Sequence, residues 1–207
     1  MALQRKISMP VTRRILGLSL LASPIALAQT SPDPRLAERS VGPAEAPLVV
    51  SEFFSLTCSH CAAFHTGTWP QVKRELVETG RIRMVFIDFP LDDIGLRAAM
   101  VARALPALRY EAFISTLFQT QNRWAFAQGR QIEELAALAA LAGMNRADFD
   151  RTIADEALSR GILEARLAAQ NQYQIRATPS FVFGARLVMG GMSFSDFKGQ
   201  VERGGRA

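Results

Sequence analysis

The chain has 207 residues, of which 49% are hydrophobic and 21% are charged, with two cysteines and a formal net charge of +5. This composition excludes a disordered or collagen-like chain and a small protein held together by several disulfides. Four basic residues and no acidic ones lie in the first 28 positions, so the rest of the chain has a net charge of only +1. The body of the protein therefore lacks the basic surplus of a nucleic-acid-binding protein.

The first 28 residues have the pattern of an export signal. Basic residues precede an apolar stretch at 15–28, which ends in Ala-Leu-Ala, the small-residue pattern that signal peptidases accept. The apolar run is shorter than the roughly 20 residues that span a bilayer. We predict a signal peptide at 1–28, cleavage near Ala28 and a periplasmic location, with an uncleaved anchor as the alternative. Two adjacent arginines before the apolar run leave the Sec and twin-arginine routes both open.

A strand–helix–strand unit follows a short lead-in. The segment 29–46 is rich in proline and is predicted to be extended rather than a domain. Two apolar runs, 48–54 and 82–89, have the length and composition of strands buried on both faces. Between them, 58–79 has apolar residues three and four apart, which predicts a helix, kinked at Pro70. Such a unit predicts a parallel pair of strands.

The second half of the chain is mostly helical. After the second predicted strand the hydrophobic period is that of a helix, which predicts an all-helical subdomain at 92–172. The chain then returns to strand character from Ser180 and ends in an amphipathic helix. The sequence therefore predicts an α/β fold. Its central sheet and flanking helices come from 47–91 and 173–207, and the helical subdomain is inserted between these two parts.

Cys58-Ser59-His60-Cys61 is the motif with chemical content. Cys58 is predicted at the start of a helix, where free amides and the helix dipole stabilise a thiolate. His60 adds a donor or a positive charge beside the same sulfur. A stabilised thiolate favours the dithiol form and makes Cys58 a better leaving group, so the pair is expected to be an oxidant. Cys61, one turn further along, is expected to be the less exposed partner that re-forms the bond.

The same motif leaves other roles open. A structural disulfide is one, although so small a ring removes little loop entropy. Haem attachment needs a histidine directly after the second cysteine, where this chain has Ala62, and two cysteines cannot form a four-cysteine zinc site. Cys58, Cys61 and His65 share one helical face and form a candidate set for a soft metal such as Cu(I). Outside that role, His65 is expected to be a packed or surface histidine.

A longer stretch around the motif resembles the DsbA-like family of thiol:disulfide oxidoreductases. The residues that carry the resemblance are VVSEFFSLTCSHCAAFH at 49–65, Asp88-Phe89-Pro90-Leu91 and Thr178-Pro179. The match extends from about Val41 to the C-terminal helix. It implies a thioredoxin-like fold with an inserted helical domain and a reaction that uses no cofactor and no metal.

The resemblance also implies roles for individual residues. Cys58 would be the attacked and attacking sulfur, Cys61 its partner, and His60 the residue that tunes Cys58. Thr178 and Pro179 would form the loop that faces the disulfide, with a cis peptide bond between them and backbone pairing to the substrate. The alternative for the proline is the start of a strand.

Glu52 lies six residues before Cys58 in an otherwise apolar strand, as the family's buried acid does. An ionised and unpaired carboxylate is costly in such a place. We therefore expect it to be protonated, partnered, or a proton acceptor for Cys61, and a relay role and a structural role are both open. The family's best-known members have proline where this chain has Ser59, so their redox potential does not transfer to this pair.

The leading hypothesis for function is an exported dithiol oxidase that donates its disulfide to unfolded or secreted proteins containing cysteine. A membrane quinone-linked DsbB-type partner would re-oxidise it, and the protein is expected to be a monomer. A reductase or an isomerase of the same fold is the alternative. The isomerase is less favoured because only about 20 residues separate the predicted cleavage site from the first strand, too few for an extra domain. A non-catalytic binding module would tolerate the loss of either cysteine.

Overall fold

The computed structural model describes residues 33–204, and the predicted signal peptide with its cleavage site lies outside the described residues. Within this range a five-stranded mixed sheet has the strand order β1-β3-β2-β4-β5. The strands are β1 Arg39–Val41, β2 Val49–Phe54, β3 Arg83–Asp88, β4 Ser180–Phe183 and β5 Arg186–Met189. The helices are α1 Ser59–Ala63, α2 Trp69–Val72, α3 Asp93–Ala104, α4 Ala107–Gln119, α5 Gln121–Trp124, α6 Gln131–Leu141, α7 Arg146–Ile153, α8 Glu156–Tyr173 and α9 Phe194–Gly204. None of these helices is both long and apolar enough to cross a membrane.

The two predicted apolar strands form the centre of the sheet and pair in parallel, as predicted, with Glu52 opposite Phe86. On its other side β2 pairs antiparallel with β4. Because successive side chains of a strand point to opposite faces, Phe54 belongs to the main core and Phe53 to a smaller cluster on the other face. Both faces are covered, which explains the nearly continuous apolar sequence of β2.

The helix that follows β2 is irregular. It continues from α1 through a π-helical segment, Phe64–Thr68, into α2, and a second π-helical segment, Lys73–Val77, ends it. Pro70 lies in the first turn of α2, where a missing N–H is tolerated. The irregularity of this helix therefore consists of one π-helical segment before the proline and one after it.

The lead-in segment contains a strand that the sequence did not predict. β1 pairs antiparallel with β3, with Arg39 opposite Phe86. The Arg39 guanidinium is largely buried, donates to the Arg103 carbonyl oxygen at 3.2 Å and lies over the Tyr110 ring. The lead-in is thus tied to the sheet and to the helices α3 and α4.

Six helices, α3 to α8, lie between β3 and β4, so the α/β fold with an inserted all-helical part is confirmed. The exact limits of that part, 92–172, stay a prediction. Asp88 at the end of β3 joins the two parts, because it forms a buried ion pair with Arg103 of α3 and accepts a hydrogen bond from Tyr110 Oη of α4 at 3.0 Å. Buried ionic and polar groups of this kind fix one relative placement of the elements that carry them.

Candidate active site

The two cysteines lie at the start of α1, at the end of the sheet where β2 finishes. Cys58 is the N-cap residue with φ −82° and ψ 119°, and Cys61 lies one turn into the helix. Both are free thiols; Cys58 is partly exposed, whereas Cys61 is fully buried. Cys58 is therefore the sulfur that another protein can reach.

Hydrogen bonds lower the pKa of the Cys58 thiol from 9.0 to about 5. The largest contribution is the hydrogen bond from the Cys61 thiol, and partial burial opposes it. Thr178 and the backbone amides of Cys61 and His60 lower the pKa further. The amides are the free N–H groups that every helix presents in its first turn, so the predicted effect of the helix start on Cys58 is present in this geometry.

Burial raises the pKa of the Cys61 thiol far above its ordinary value, and its hydrogen bond to Cys58 and the negative charges of Cys58 and Glu52 act in the same direction. At neutral pH the pair therefore consists of a Cys58 thiolate and a Cys61 thiol. The thiolate is the reactive form of a cysteine, and the role of Cys58 as the attacking sulfur stays a prediction.

His60 is exposed, and its backbone amide is the part that contributes to the low pKa of Cys58. A tuning role for its imidazole stays a prediction. The ring also lies at the edge of a groove of about 320 Å³ beside α1, which is lined by His60, Ala63, Phe64, Thr68, Gly191, Met192 and Ser193.

The loop before β4 faces the cysteines from the other side. The peptide bond between Thr178 and Pro179 is cis, as the resemblance implies. The Cys58 thiol lies 3.3 Å from the Thr178 carbonyl oxygen. The Thr178 hydroxyl is buried and has no hydrogen-bond partner within residues 33–204. The loop thus places the Thr178 backbone directly beside Cys58.

Glu52 is fully buried and has a partner that the sequence did not assign. His65 Nε2 lies 3.0 Å from Glu52 Oε1 and 3.1 Å from Oε2. Of the three states expected for the carboxyl, the structure contains the partnered one. The histidine is one of the buried, packed residues rather than a surface residue.

The alternative of a soft-metal site is not supported by this arrangement. His65 Nε2 contacts Glu52 rather than the cysteines. Within residues 33–204 no group of three or more His, Cys, Asp or Glu side chains is arranged to hold a metal ion. The Cu(I) set of Cys58, Cys61 and His65 was therefore wrong, because these three side chains do not come together as such a group.

The helical part supplies a site residue that sequence reasoning missed. Gln121, at the start of α5, is buried, and its Nε2 donates to the carbonyl oxygens of Leu56 at 2.8 Å and Cys58 at 3.1 Å. Thr57 Oγ1 also donates to Asp92, the N-cap residue of α3, at 2.8 Å. The loop that carries Cys58 is thus hydrogen-bonded to the residue before α3 and to the first residue of α5. No periodicity or motif marks Gln121, because its partners are carbonyl groups more than 60 residues away.

Comparison with known proteins agrees with this geometry. Residues 35–203 match the family model described as Thioredoxin. A Rickettsia felis protein named as a protein-disulfide oxidoreductase is 25% identical over 142 residues, which cover 68% of this chain and 51% of the relative, so the match spans about half the length of that protein.

Solved structures give the same family. Alpha-DsbA1 from Wolbachia pipientis has a TM-score of 0.75 at 26% identity, covering 82% of this chain and 91% of its own. BdbD from Bacillus subtilis has a TM-score of 0.71 at 17% identity, covering 82% and 94%, and shares the fold. The family model covers most of the chain. The cysteine pair, the cis-proline loop and the helical insertion also occur together. This chain therefore belongs to the thioredoxin family and, within it, to the DsbA-like proteins.

Proposed function

We propose that this protein is an exported thiol:disulfide oxidoreductase that donates a Cys58–Cys61 disulfide to cysteine-containing secreted or unfolded proteins. The observation that supports the proposal is the difference between the two sulfurs. Cys58 is partly exposed at a helix start with a pKa of about 5, whereas Cys61 is buried with a raised pKa. One accessible, low-pKa sulfur next to one buried sulfur is the arrangement that thiol–disulfide exchange requires.

The low pKa of Cys58 supports the donor direction. Every interaction that stabilises the Cys58 thiolate stabilises the reduced protein and has no counterpart in the disulfide form. The equilibrium then favours reduction of the Cys58–Cys61 disulfide, and the pair oxidises other dithiols. A thiolate of low pKa is also a good leaving group, so a mixed disulfide at Cys58 is resolved readily by the second thiol of a substrate.

The reaction proceeds in two exchanges. A substrate thiolate attacks Cys58 Sγ of the Cys58–Cys61 disulfide, the S–S bond breaks and Cys61 leaves with the electron pair. A second thiolate of the same substrate then attacks the substrate sulfur that is bonded to Cys58, and Cys58 leaves as a thiolate. The substrate has lost two electrons and holds a new disulfide, and the enzyme pair has gained two electrons. The Thr178 carbonyl oxygen lies 3.3 Å from Cys58 Sγ, and we propose that the backbone of Thr178 and Pro179 pairs with the substrate segment by main-chain hydrogen bonds.

The cycle requires an oxidant for the reduced pair. We propose a membrane quinone-linked DsbB-type protein in that role, acting on a monomer in the periplasm after removal of residues 1–28. The half-exposed Cys58 is the contact point for this partner as it is for substrates, because Cys61 is fully buried.

The redox potential of the Cys58/Cys61 pair, equilibrated with glutathione with metal ions excluded, tests the donor direction. A value well above the roughly −180 mV of an isomerase-like pair supports a disulfide donor. A value near the roughly −270 mV of a thioredoxin-like pair contradicts it and makes the reductase the better assignment.

A further inference from the structure

A groove of about 490 Å³, the α3–α8 groove, lies on the helical part between α3 and α8. Its large apolar lining residues are Leu96 and Met100 of α3, Ile153 of α7, and Leu163 and Leu167 of α8. The two leucines of α8 are 41% and 55% exposed. The groove therefore presents an apolar surface to the solvent.

The packing of α8 does not require these two leucines. The helix uses Leu158, Ile162 and Ala169 to contact the rest of the described structure, and these three residues are buried. Leu163 and Leu167 are one turn apart and lie on a different face of the helix. A surface helix normally has one apolar stripe and a polar face opposite to it. A second apolar face that stays open to the solvent is typical of a binding surface.

The groove begins beside the loop that carries Cys58. Asp93, the first residue of α3, lines the groove. The residue before it, Asp92, accepts the hydrogen bond from Thr57 Oγ1 at 2.8 Å, and Thr57 is the chain neighbour of Cys58. The exchange site and the groove are therefore continuous at the start of α3. A polypeptide that is bound at Cys58 can pass over this point and enter the groove.

The charged residues around the groove favour one kind of occupant. Asp93 forms an ion pair with Arg97, and Asp155 forms one with Arg35. Three other charged lining residues have no ion pair within residues 33–204, namely Glu156, Arg160 and Glu164. Two unpaired carboxylates against one unpaired guanidinium leave an acidic surplus. Charge complementarity therefore favours an occupant that has a basic residue next to its apolar residues.

We propose that the α3–α8 groove binds an apolar segment of the substrate chain while a cysteine of the same chain reacts at Cys58. The inference rests on the proposed function, whose substrates are unfolded or secreted proteins. An unfolded chain exposes apolar side chains that a folded protein buries. The lining of α8 from Glu156 to Leu167 spans about 16 Å at the rise of a helix, which is the length of about five extended residues. The preferred substrate has an apolar run of about this length beside a basic residue.

Oxidation of synthetic dithiol peptides tests this groove. Each peptide has two cysteines and a run of leucines beside one lysine, at a different spacing from the nearer cysteine, and its counterpart has serines in place of the leucines. Initial rates with the disulfide form of the protein give kcat and KM. We expect one range of spacings to lower KM at least ~10-fold relative to the serine counterpart, because burial of a leucine side chain supplies this much free energy. The kcat should stay nearly the same, since the groove binds substrate and transition state equally. A glutamate in place of the lysine should weaken the effect.

Three variants assign the preference to the groove. Leu167→Glu places a charge in the groove and should abolish the difference in KM between the leucine and the serine peptides. Leu108→Glu is the matched control, because it makes the same change at a leucine of α4 that is 99% exposed and does not line the groove, and it should keep the full difference. Leu163→Ser is a milder change in the groove and should reduce the difference. Both peptides are measured on the same variant, so a general loss of activity cancels in the comparison.

Equal KM values for leucine and serine peptides at every spacing overturn the proposal. A difference that a folded Leu167→Glu protein retains in full also overturns it, and if that variant does not fold, the same result with Leu163→Ser decides. Analytical ultracentrifugation of the protein alone tests a second copy as the occupant, and a dimer that Leu167→Glu dissociates would assign the groove to self-association instead. Failure of the wild-type protein to oxidise even the serine peptides contradicts the proposed function, so the two failures are distinguishable.

Discussion

At the scale of single residues, the chemistry depends on how differently the protein treats two identical side chains three positions apart. The sequence predicts a low pKa for Cys58 from its place at a helix start. The structure adds that the Cys61 thiol is the largest cause of the lowered pKa. Its burial keeps that thiol protonated, so it remains a donor to the Cys58 sulfur over the whole neutral range.

We therefore expect Cys61→Ala to raise the pKa of Cys58 above its value of about 5, because the strongest hydrogen bond to the thiolate is lost. His60→Ala is the matched control. It keeps the backbone amide that acts on the sulfur, so the increase should be smaller. The pKa is measured from thiolate absorbance near 240 nm as a function of pH. An unchanged titration in Cys61→Ala would remove the Cys61 thiol from this role.

The two cysteines should also differ when each is replaced by serine. Cys58→Ser leaves only a buried thiol, so we expect loss of disulfide transfer to a reduced, unfolded substrate. Cys61→Ser keeps the attacking sulfur but lacks the resolving one, so mixed disulfides should accumulate when its Cys58 thiolate attacks a disulfide-containing substrate. Non-reducing gel electrophoresis of the reaction mixture detects the trapped species. Full activity of both variants would exclude the exchange mechanism.

At the scale of elements, the loop between β2 and α1 shows why a helical part is useful next to a cysteine pair. Cys58 is at the end of this loop, where its amide donates to the Ser55 carbonyl oxygen at 3.1 Å. Gln121 of α5 donates to the carbonyl oxygens of Leu56 and Cys58, and Asp92 before α3 accepts from Thr57. The helical part therefore fixes the position of the reactive sulfur.

We expect Gln121→Leu to destabilise the protein by about 1–3 kcal/mol, because it leaves the buried Leu56 carbonyl oxygen without the Gln121 donor, and to slow the reaction of Cys58 with oxidised glutathione. Gln119→Leu is the matched control. It changes the same residue type at an exposed position near the end of α4, where surface substitutions alter stability by no more than about 0.5 kcal/mol. Urea denaturation and the rate of mixed-disulfide formation measure the two effects. Equal results for both variants would remove Gln121 from the site.

The elements also show what a sequence can and cannot reveal. Strands β2 and β3 were predictable because an apolar run of strand length needs no partner to be recognised. β1 was not predictable, because its three residues begin with a buried arginine and are too few to show a strand pattern. Their pairing with β3 is decided by tertiary contacts. The cysteines and the cis-proline loop were predictable from motif and resemblance, whereas His65 and Gln121 derive their roles from partners brought together only by folding.

At the scale of the whole molecule, the preference of the cysteine pair for the reduced state is linked to the difference in folding stability between the reduced and the disulfide form. Whatever favours the reduced pair over the disulfide also stabilises the folded reduced protein relative to the folded oxidised protein. The small ring closed by Cys58 and Cys61 restrains the unfolded chain little, so the thiolate is the dominant difference between the two forms. The remaining ion pairs, such as Asp88 with Arg103, are present in both forms and cancel in the comparison.

We therefore predict that the reduced protein is more stable than the disulfide form at pH 7, and that its advantage shrinks as the pH falls. The pKa of Cys58 is lowered on folding from 9.0 to about 5. A lowered pKa stabilises the folded state fully above the unfolded value, and the stabilisation is lost as the pH falls through the folded value. The difference in unfolding free energy between the two forms should thus decline from pH 8 to about 5 and level off below it. Denaturant titrations of both forms at each pH measure it. The unfolding free energy of Cys58→Ser, which has no Cys58 thiolate and forms no disulfide, should lack the decline expected for the reduced protein. A difference that does not change with pH would mean that the Cys58 thiolate does not set the stability of the reduced form, and the proposed donor direction would lose its physical basis.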